Sequence, residues 1–298
     1  MKKVVSISLG SSRRDHEAVL YLQGTRVQVA RYGADGDMTR AEQMIAAADG
    51  QVDAIGLGGI DRYLWIGADS FEIADAAKLA ASAQKTPVVD GSYIKMLWEP
   101  QVIHQLAAEG VIHSGQSVLM VSALDRFGMA DAFYRENLSV ICGDLIFSSR
   151  MDYPIRDLDE LEEIGRKILP GLLKLPFQQL YPTGSDQDTI VDGIAAPYFA
   201  QADIIAGDFH FIRRTLPPDL HGKTIITNTT TQQDREILRQ RGAQQLITTT
   251  PILSGRSFGT NVLEAALIAA NHVPQDGSDW RHMIEQAGFE YAREVFSA

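Results

Sequence analysis

Short β-branched runs alternate with longer stretches of helical composition along the whole chain. Val4–Leu9 reads as a strand ending at Gly10, and Val52–Leu57 as a buried strand ended by Gly58-Gly59. Between them, Glu17–Leu22 and Thr25–Arg31 meet at Gln23-Gly24, with apolar alternation at Val27 and Val29, the pattern of a hairpin. Met38–Ala48 and the Ala-rich Ala74–Gln84 are helical by composition. Tyr63–Ile66 and Phe71–Ile73 read as a second small hairpin, and Thr86–Val89 as a strand closing at Asp90-Gly91. Tyr93–Glu109 is predicted to be a helix that Pro100 bends or restarts.

The second half repeats the alternation more cleanly. Strands are predicted at Ser117–Val121, Val140–Phe147, Asp203–Ala206, Thr224–Thr227 and Gln245–Thr249. Helices are predicted at Phe127–Asn137, Leu158–Leu169, Gln233–Arg241 and Thr260–Ala270, with a loop over Pro176–Asp192 and a tail from Trp280 to Phe296. Strands joined through helices need crossover connections, so the sheet should be mostly parallel and covered on both faces. The expectation is an α/β fold: a mostly parallel, Rossmann-like sheet in the C-terminal half (residues 114–298) behind a smaller α/β N-terminal domain (residues 1–113). The polar, Gly-bearing joint Gly110–Gly115 marks the boundary.

Composition narrows the function classes. At 298 residues the chain has room for two domains, and 45% hydrophobic with 22% charged residues is an ordinary globular balance. Acidic residues outnumber basic ones, 38 to 27, a net charge of −11 that repels phosphate backbones and argues against nucleic-acid binding. The single cysteine, Cys142, sits in a predicted strand and reads as a small core residue. The seven histidines show no metal-ligand spacing. No apolar stretch approaches ~18 residues, and Met1-Lys2-Lys3 leads straight into a strand-like run, so no membrane association and a cytoplasmic location are expected.

Polar clusters follow most strands. They are Gly10-Ser11-Ser12-Arg13-Arg14, Ser122-Ala123-Leu124-Asp125-Arg126, Ser148-Ser149-Arg150, Asp208-Phe209-His210, Asn228-Thr229 and Thr250. In open α/β sheets these carboxyl ends form the ligand crevice. Helix capping accounts for the hydroxyls and carboxylates, but not for the arginines. Arg126, Arg150, Arg213 and Arg256 are therefore expected to converge with the hydroxyls on one rim and hold a small anionic metabolite. Ser11, Ser12, Arg13, Asn228, Thr250 and Arg256 are the candidate substrate contacts. His210, with Asp208 in the same turn, is a candidate general acid or base. The Gly56–Gly59 turn is a weaker anion cradle, because no helix follows it.

The turn Ser122–Gly128 occupies the place of a dinucleotide-binding loop. Aligned on G-x-G-x-x-G, its three glycines become Ala123, Asp125 and Gly128, so only the third survives. Ser122, Ala123, Asp125, Arg126 and Gly128 are its candidate cofactor contacts. Ser148, Ser149 and Arg150 at the next strand end favour the 2′-phosphate of NADP over NAD.

The layout, the Val118–Gly128 segment, the Asp203-Ile204-Ile205 strand and the late helix after Gly255–Asn261 together resemble the quinate/shikimate 5-dehydrogenase family. The resemblance implies oxidation or reduction of a ring hydroxyl with NAD or NADP. It departs from that family in the degraded glycine turn and in the absence of an Asn-Thr-Asp signature. The family's catalytic-lysine motif is only echoed, by Thr86–Ser92 with Lys85 and Lys95 on either side. Lys95 and Asp90 are thus catalytic candidates from chemistry alone, a lysine in a cleft relaying a proton. The expected function is an NAD(P)-dependent oxidoreductase acting on a small hydroxy or keto acid. One rival is a non-redox Rossmann-like protein binding another anionic or phosphorylated metabolite, motivated by Asp125 in a glycine position. The other is a transferase or lyase using His210 and Asp208 on a phosphorylated substrate. The Ala-rich helices suggest a homodimer surface or, equally, a cover for the sheet.

Overall fold

The computed structural model describes residues 1–176, 193–253 and 256–296. The loop expected over Pro176–Asp192 lies, past its first residue, outside them. The first sheet contains β1 (Lys2–Ser8), β2 (His16–Leu22), β3 (Thr25–Gly33), β4 (Ala54–Gly58) and β7 (Val88–Val89), in the order β2-β3-β1-β4-β7. Only the β2–β3 hairpin is antiparallel. A separate ribbon, β5 (Tyr63–Ile66) with β6 (Asp69–Glu72), stands beside it. Helices α1 (Met38–Ala48) and α2 (Ala74–Ala80) belong to this half. Asp37 caps α1 by accepting from Arg40 N, and Ala41 and Ile45 form its buried face.

The second half is preceded by a π-helix, Ile94–Trp98, that runs into α3 (Glu99–Ala108). Its sheet contains β8 (Ser117–Met120), β9 (Ser139–Cys142), β10 (Ile204–Ala206), β11 (Thr224–Thr227) and β12 (Gln245–Thr248). After a ribbon of β13 (Ile252–Leu253) and β14 (Arg256–Ser257), the last strand, β15 (Ala292–Val295), completes the order β15-β12-β11-β10-β8-β9. Only β15 is antiparallel. The helices are α4 (Phe127–Arg135), α5 (Asp144–Ser149), α6 (Leu158–Leu172), α7 (Ala196–Gln201), α8 (Phe209–Thr215), α9 (Gln232–Gln240), α10 (Thr260–Ala270) and α11 (Gly277–Gln286). The fold is α/β with two mostly parallel sheets. No helix among the described residues is long and apolar enough to cross a membrane.

The expected tail, Trp280–Phe296, is the end of α11 followed by β15, an edge strand of the second sheet, and other stretches differ from the sequence pattern as well. The apolar run Val140–Phe147 is not one strand: β9 stops at Cys142 and α5 begins at Asp144. Short apolar runs have the same look in a buried strand and a buried helix, so periodicity cannot separate them. Pro100 does not break its helix in the middle. It stands in the first turn of α3, where its missing N–H costs nothing, and the irregularity falls just before it as the π-turn.

Helix α10 is apolar almost all round, through Val262, Leu263, Ala265, Ala266, Leu267, Ile268 and Ala269, and is buried accordingly. Although it comes from the far end of the chain, it packs on β1 and β4 of the first sheet. Asn261 Nδ2 donates to Ser6 Oγ at 2.7 Å. The approach is so close that a Cβ at Gly56 would lie 2.8 Å from the Asn261 carbonyl. That close approach requires glycine at position 56. The Ala-rich helices are sheet covers in the same sense: α10 is buried, and α2 buries Ala76, Leu79 and Ala80. The surface suggested for a homodimer is spent inside one chain.

Candidate functional site

Both sheets turn the carboxyl ends of their strands toward one cleft. In the first sheet the chain goes to opposite sides of β1, and in the second to opposite sides of β8. Crevices open at such switch points, because the loops leave neighbouring strands in opposite directions. The cleft has a volume of about 190 Å³. Its walls are Ser8–Ser11 and Arg14 after β1, Gly58–Asp61 after β4, and Lys95 on the π-helix. Opposite stand Asp125 after β8, Asp208 with His210 and Phe211 after β10, Asn228 and Thr229 after β11, and Ser257–Val262 leading into α10.

The floor is an ion network. Lys95 Nζ lies 2.6 Å from Asp61 Oδ1 and 2.7 Å from Asp125 Oδ1. Asp125 above all holds Lys95 protonated against its burial. Burial raises Asp61 well above the usual carboxylate range, and the neighbouring Asp125 adds to the effect. Asp125 is held low: burial opposes its charge, but Lys95 and Arg126 outweigh it. Beneath them Arg126 is fully buried and bonds Glu99, with Asp208 Oδ2 at 3.2 Å. Asp208 also accepts from Asn228 Nδ2 at 3.0 Å and, as the cap of α8, from His210 N at 2.8 Å. Burial disfavours its charge, yet Arg126, Lys95 and the His210 backbone N–H keep it far below the ordinary range.

At the other end Arg14 Nη1 lies 2.7 Å from His210 Nε2, linking the loop after β1 to the one after β10. Desolvation, and then the Arg14 charge, push His210 down to about 4, so it is neutral at physiological pH and accepts this bond. Arg31 donates to Asp15 Oδ1 at 2.9 Å and to the Ser11 carbonyl at 2.7 Å, shaping the same loop.

The expected cofactor turn is closed by the protein itself. Ala123 N and Leu124 N, two of the backbone donors that a pyrophosphate would take, point at Asp144, at 3.1 and 2.9 Å from its carboxylate. Ser122 Oγ accepts from Asp208 N, and Asp125 is bound to Lys95. Gly128 packs on the Met96 carbonyl and the Pro100 ring, so the surviving glycine serves helix packing. A dinucleotide does not fit here: its anion position holds a carboxylate. Burial pushes Asp144 up to about 6, against the backbone bonds that lower it. The folded state therefore binds a proton more tightly than the unfolded chain, and this group adds stability as pH falls through 6. Relative to Asp144→Asn, the wild type should gain stability between about pH 7 and pH 5 in urea denaturation. A difference that does not change with pH would show the carboxyl ionised throughout.

The structure brings Lys95, Asp90, Asp125, Asp208, His210, Asn228 and Ser11 to the cleft. Asp90 is occupied structurally, accepting from Arg62 N, Tyr63 N and both Ser92 N and Oγ. Thr250 lies behind the wall, its hydroxyl on the Asn228 carbonyl at 3.2 Å. Ser12 N is held by Asp35, and Arg13 is exposed. Ser148 and Ser149 end α5, with Arg150 at its left-handed C-cap (φ 54°), away from the cleft lining. Of the four arginines expected on one rim, Arg126 is buried under the floor and Arg213 pairs with Asp234 at 3.3 Å. The Arg256 side chain lies outside the described positions. Among the described residues, the arginines that line the cleft are Arg14, Arg31 and Arg214. The sequence reading missed Asp61, Glu99, Asp144 and Asn261. Asp61 carried a signal, following Gly-Gly at a strand end as the other site residues do; the rest carried none.

Comparison with known proteins gives the dehydrogenase resemblance no support. A search of curated proteins finds no match. Solved structures similar to the chain include a galactofuranose binding protein, at 10% identity and a TM-score of 0.36, over 96% of this chain and 98% of that one. Another is an ABC transporter solute binding protein from Burkholderia multivorans, at 10% identity and 0.40, over 98% of both chains. A third is the TorS sensor domain–TorT complex, at 10% identity and 0.37, over 99% and 92%. Identities and scores this low say nothing of what the present chain binds. Two family models account for nearly its whole length: Domain of unknown function (DUF8753) over residues 3–90 and Domain of unknown function (DUF8754) over residues 93–295. Neither is the quinate/shikimate dehydrogenase family, and the turn at 122–126 is filled. The chain is therefore not the NAD(P)-dependent oxidoreductase that the resemblance implied. Nor is it the anion-binding rival, since the four arginines do not share a rim. By the match that spans 93–295, the chain belongs to the DUF8754 family.

Proposed function

We propose that the chain binds a small, uncharged, hydroxyl-rich molecule of monosaccharide size in the cleft between its two sheets. The observation that carries this reading is the balance of charge. Among the lining residues, Asp90, Asp125 and Asp208 stand against Arg14, Arg31, Lys95 and Arg214, and Asp15 behind the wall offsets Arg31 at 2.9 Å. Lys95 and Arg31 are bound to carboxylates, and Arg126 below them is bound to more than one. A cleft neutralised from within attracts no net charge but offers donors and acceptors side by side, which is what hydroxyl groups need. Leu9, Leu57, Phe211 and Phe258 supply apolar surface for the C–H faces of such a ligand. At about 190 Å³ the cleft falls below the ~300–1,000 Å³ of drug-sized ligand sites, too small for a dinucleotide.

The test is a thermal-shift and calorimetric survey of neutral pentoses, hexoses and polyols beside their phosphorylated counterparts. A neutral member should bind at least tenfold more tightly than its phosphorylated form; the reverse order would overturn the reading. Thr229→Val removes a half-buried cleft hydroxyl and should weaken binding about threefold to tenfold, the worth of one hydrogen bond. A cytoplasmic location belongs to the same proposal.

A further inference from the structure

We propose that the cleft is catalytic as well as ligand-binding: Asp61, Lys95 and Asp125 form an acid–base centre that enolises a neutral hydroxy-carbonyl substrate without a redox cofactor. This rests on the ligand reading above and deepens it. Three ionisable side chains converge within hydrogen-bond reach, Lys95 Nζ standing 2.6 Å from Asp61 and 2.7 Å from Asp125. All three line the cleft instead of lying sealed in the core. The cluster is held from behind. Lys95 rides on the π-turn, a rare local geometry concentrated at functional sites, and Glu264 anchors the start of that turn by accepting from Tyr93 N at 2.9 Å and Ile94 N at 3.3 Å.

The environment separates the two carboxyls. Asp61 tends to hold a proton, since burial and Asp125 both disfavour its charge, while Lys95 and Arg126 keep Asp125 ionised. Two carboxyls pushed apart in this way supply an acid and a base in one site. Asp125 takes a proton from the carbon beside the carbonyl. The C–H electron pair becomes the carbon–carbon double bond, and the carbonyl π pair moves to oxygen, which takes the Asp61 proton. The product is an enediol, with Asp125 protonated and Asp61 ionised. Lys95 stays cationic throughout and stabilises the charge that develops on oxygen. Return of the Asp125 proton to either carbon, with Asp61 recovering a hydroxyl proton, restores the centre.

Solvent exchange tests this with dihydroxyacetone, glyceraldehyde, ribose and fructose as probes. Each is incubated with the whole protein in D2O and followed by NMR, with melting shifts recorded in parallel. The wild type should incorporate deuterium at the carbon beside the carbonyl. Asp125→Asn should lower the rate at least about a hundredfold, far more than it lowers the melting shift, since general base catalysis is worth about 10²–10⁴. Asp61→Asn, which preserves the shape of a protonated carboxyl, serves as the second variant should the first fold poorly, with the same loss expected. A probe that shifts melting but is not exchanged by the wild type overturns catalysis and leaves binding intact. Exchange undiminished in both variants overturns the assignment to this cluster. No melting shift with any probe overturns both readings.

Discussion

Arg126→Met is expected to destabilise the protein by about 3–5 kcal/mol, the cost of stranding buried charge when one partner of an interior ion pair is removed. Arg126 is 1% exposed, and the Glu99 it bonds is 0% exposed. Asp208 depends on the same guanidinium at 3.2 Å, and Asp125 lies 3.6 Å from its Nε. Methionine fills much of the volume but supplies no donor, so the Glu99 carboxylate must be protonated or hydrated in a closed space. Burial already raises Glu99 above its ordinary range with Arg126 in place. The double variant Arg126→Met/Glu99→Gln should recover part of the loss, because it removes the worst of the uncompensated charges. Urea denaturation measures both; a single-variant loss under about 1 kcal/mol would show the network to be hydrated and weak.

Gly91→Ala should cost about 2–5 kcal/mol. Gly91 has φ +91°, in the region that L side chains avoid, and a Cβ there would lie 2.4 Å from both Asn261 N and Thr260 Oγ1. The conformation costs roughly 1–2 kcal/mol and the overpacking typically about 1–3. Relief requires moving the N-terminus of α10 or the start of the π-turn, whose Lys95 N donates to the Gly91 carbonyl at 3.0 Å. The substitution should therefore weaken ligand binding together with stability. Gly24→Ala is the control. It also has positive φ, +78°, but meets nothing within 4 Å, so only the conformational part of the loss should appear.

The site was partly legible before any coordinates. The rule that ligands gather at the carboxyl ends of parallel strands picked out Asp125, Asp208, His210 and Asn228, and all four face the cleft. It misjudged what the arginines do. A cation at a strand end looks the same in sequence whether it awaits an anion or is already satisfied, and Arg126 and Arg213 are satisfied by Glu99 and Asp234. Asp125 shows the same limit. In a glycine's place it reads as a defect in a phosphate loop, whereas in the fold it is the carboxylate that holds Lys95.

By itself the sequence determined the α/β character, most of the elements and the parallel crossovers, because these follow from local periodicity and turn residues that neighbours in the chain carry. Thr224–Thr227, Met38–Ala48 and Thr260–Ala270 stand where that pattern puts them. Only the tertiary structure decided which charges are compensated, that Asp144 closes the turn expected to hold a pyrophosphate, and that α10 packs on β1 and β4 from the far end of the chain. The reason is one of range. Helix and strand patterns are written over a few residues, but the effect of a charge depends on its desolvation and its partner, and here the partners come from distant segments.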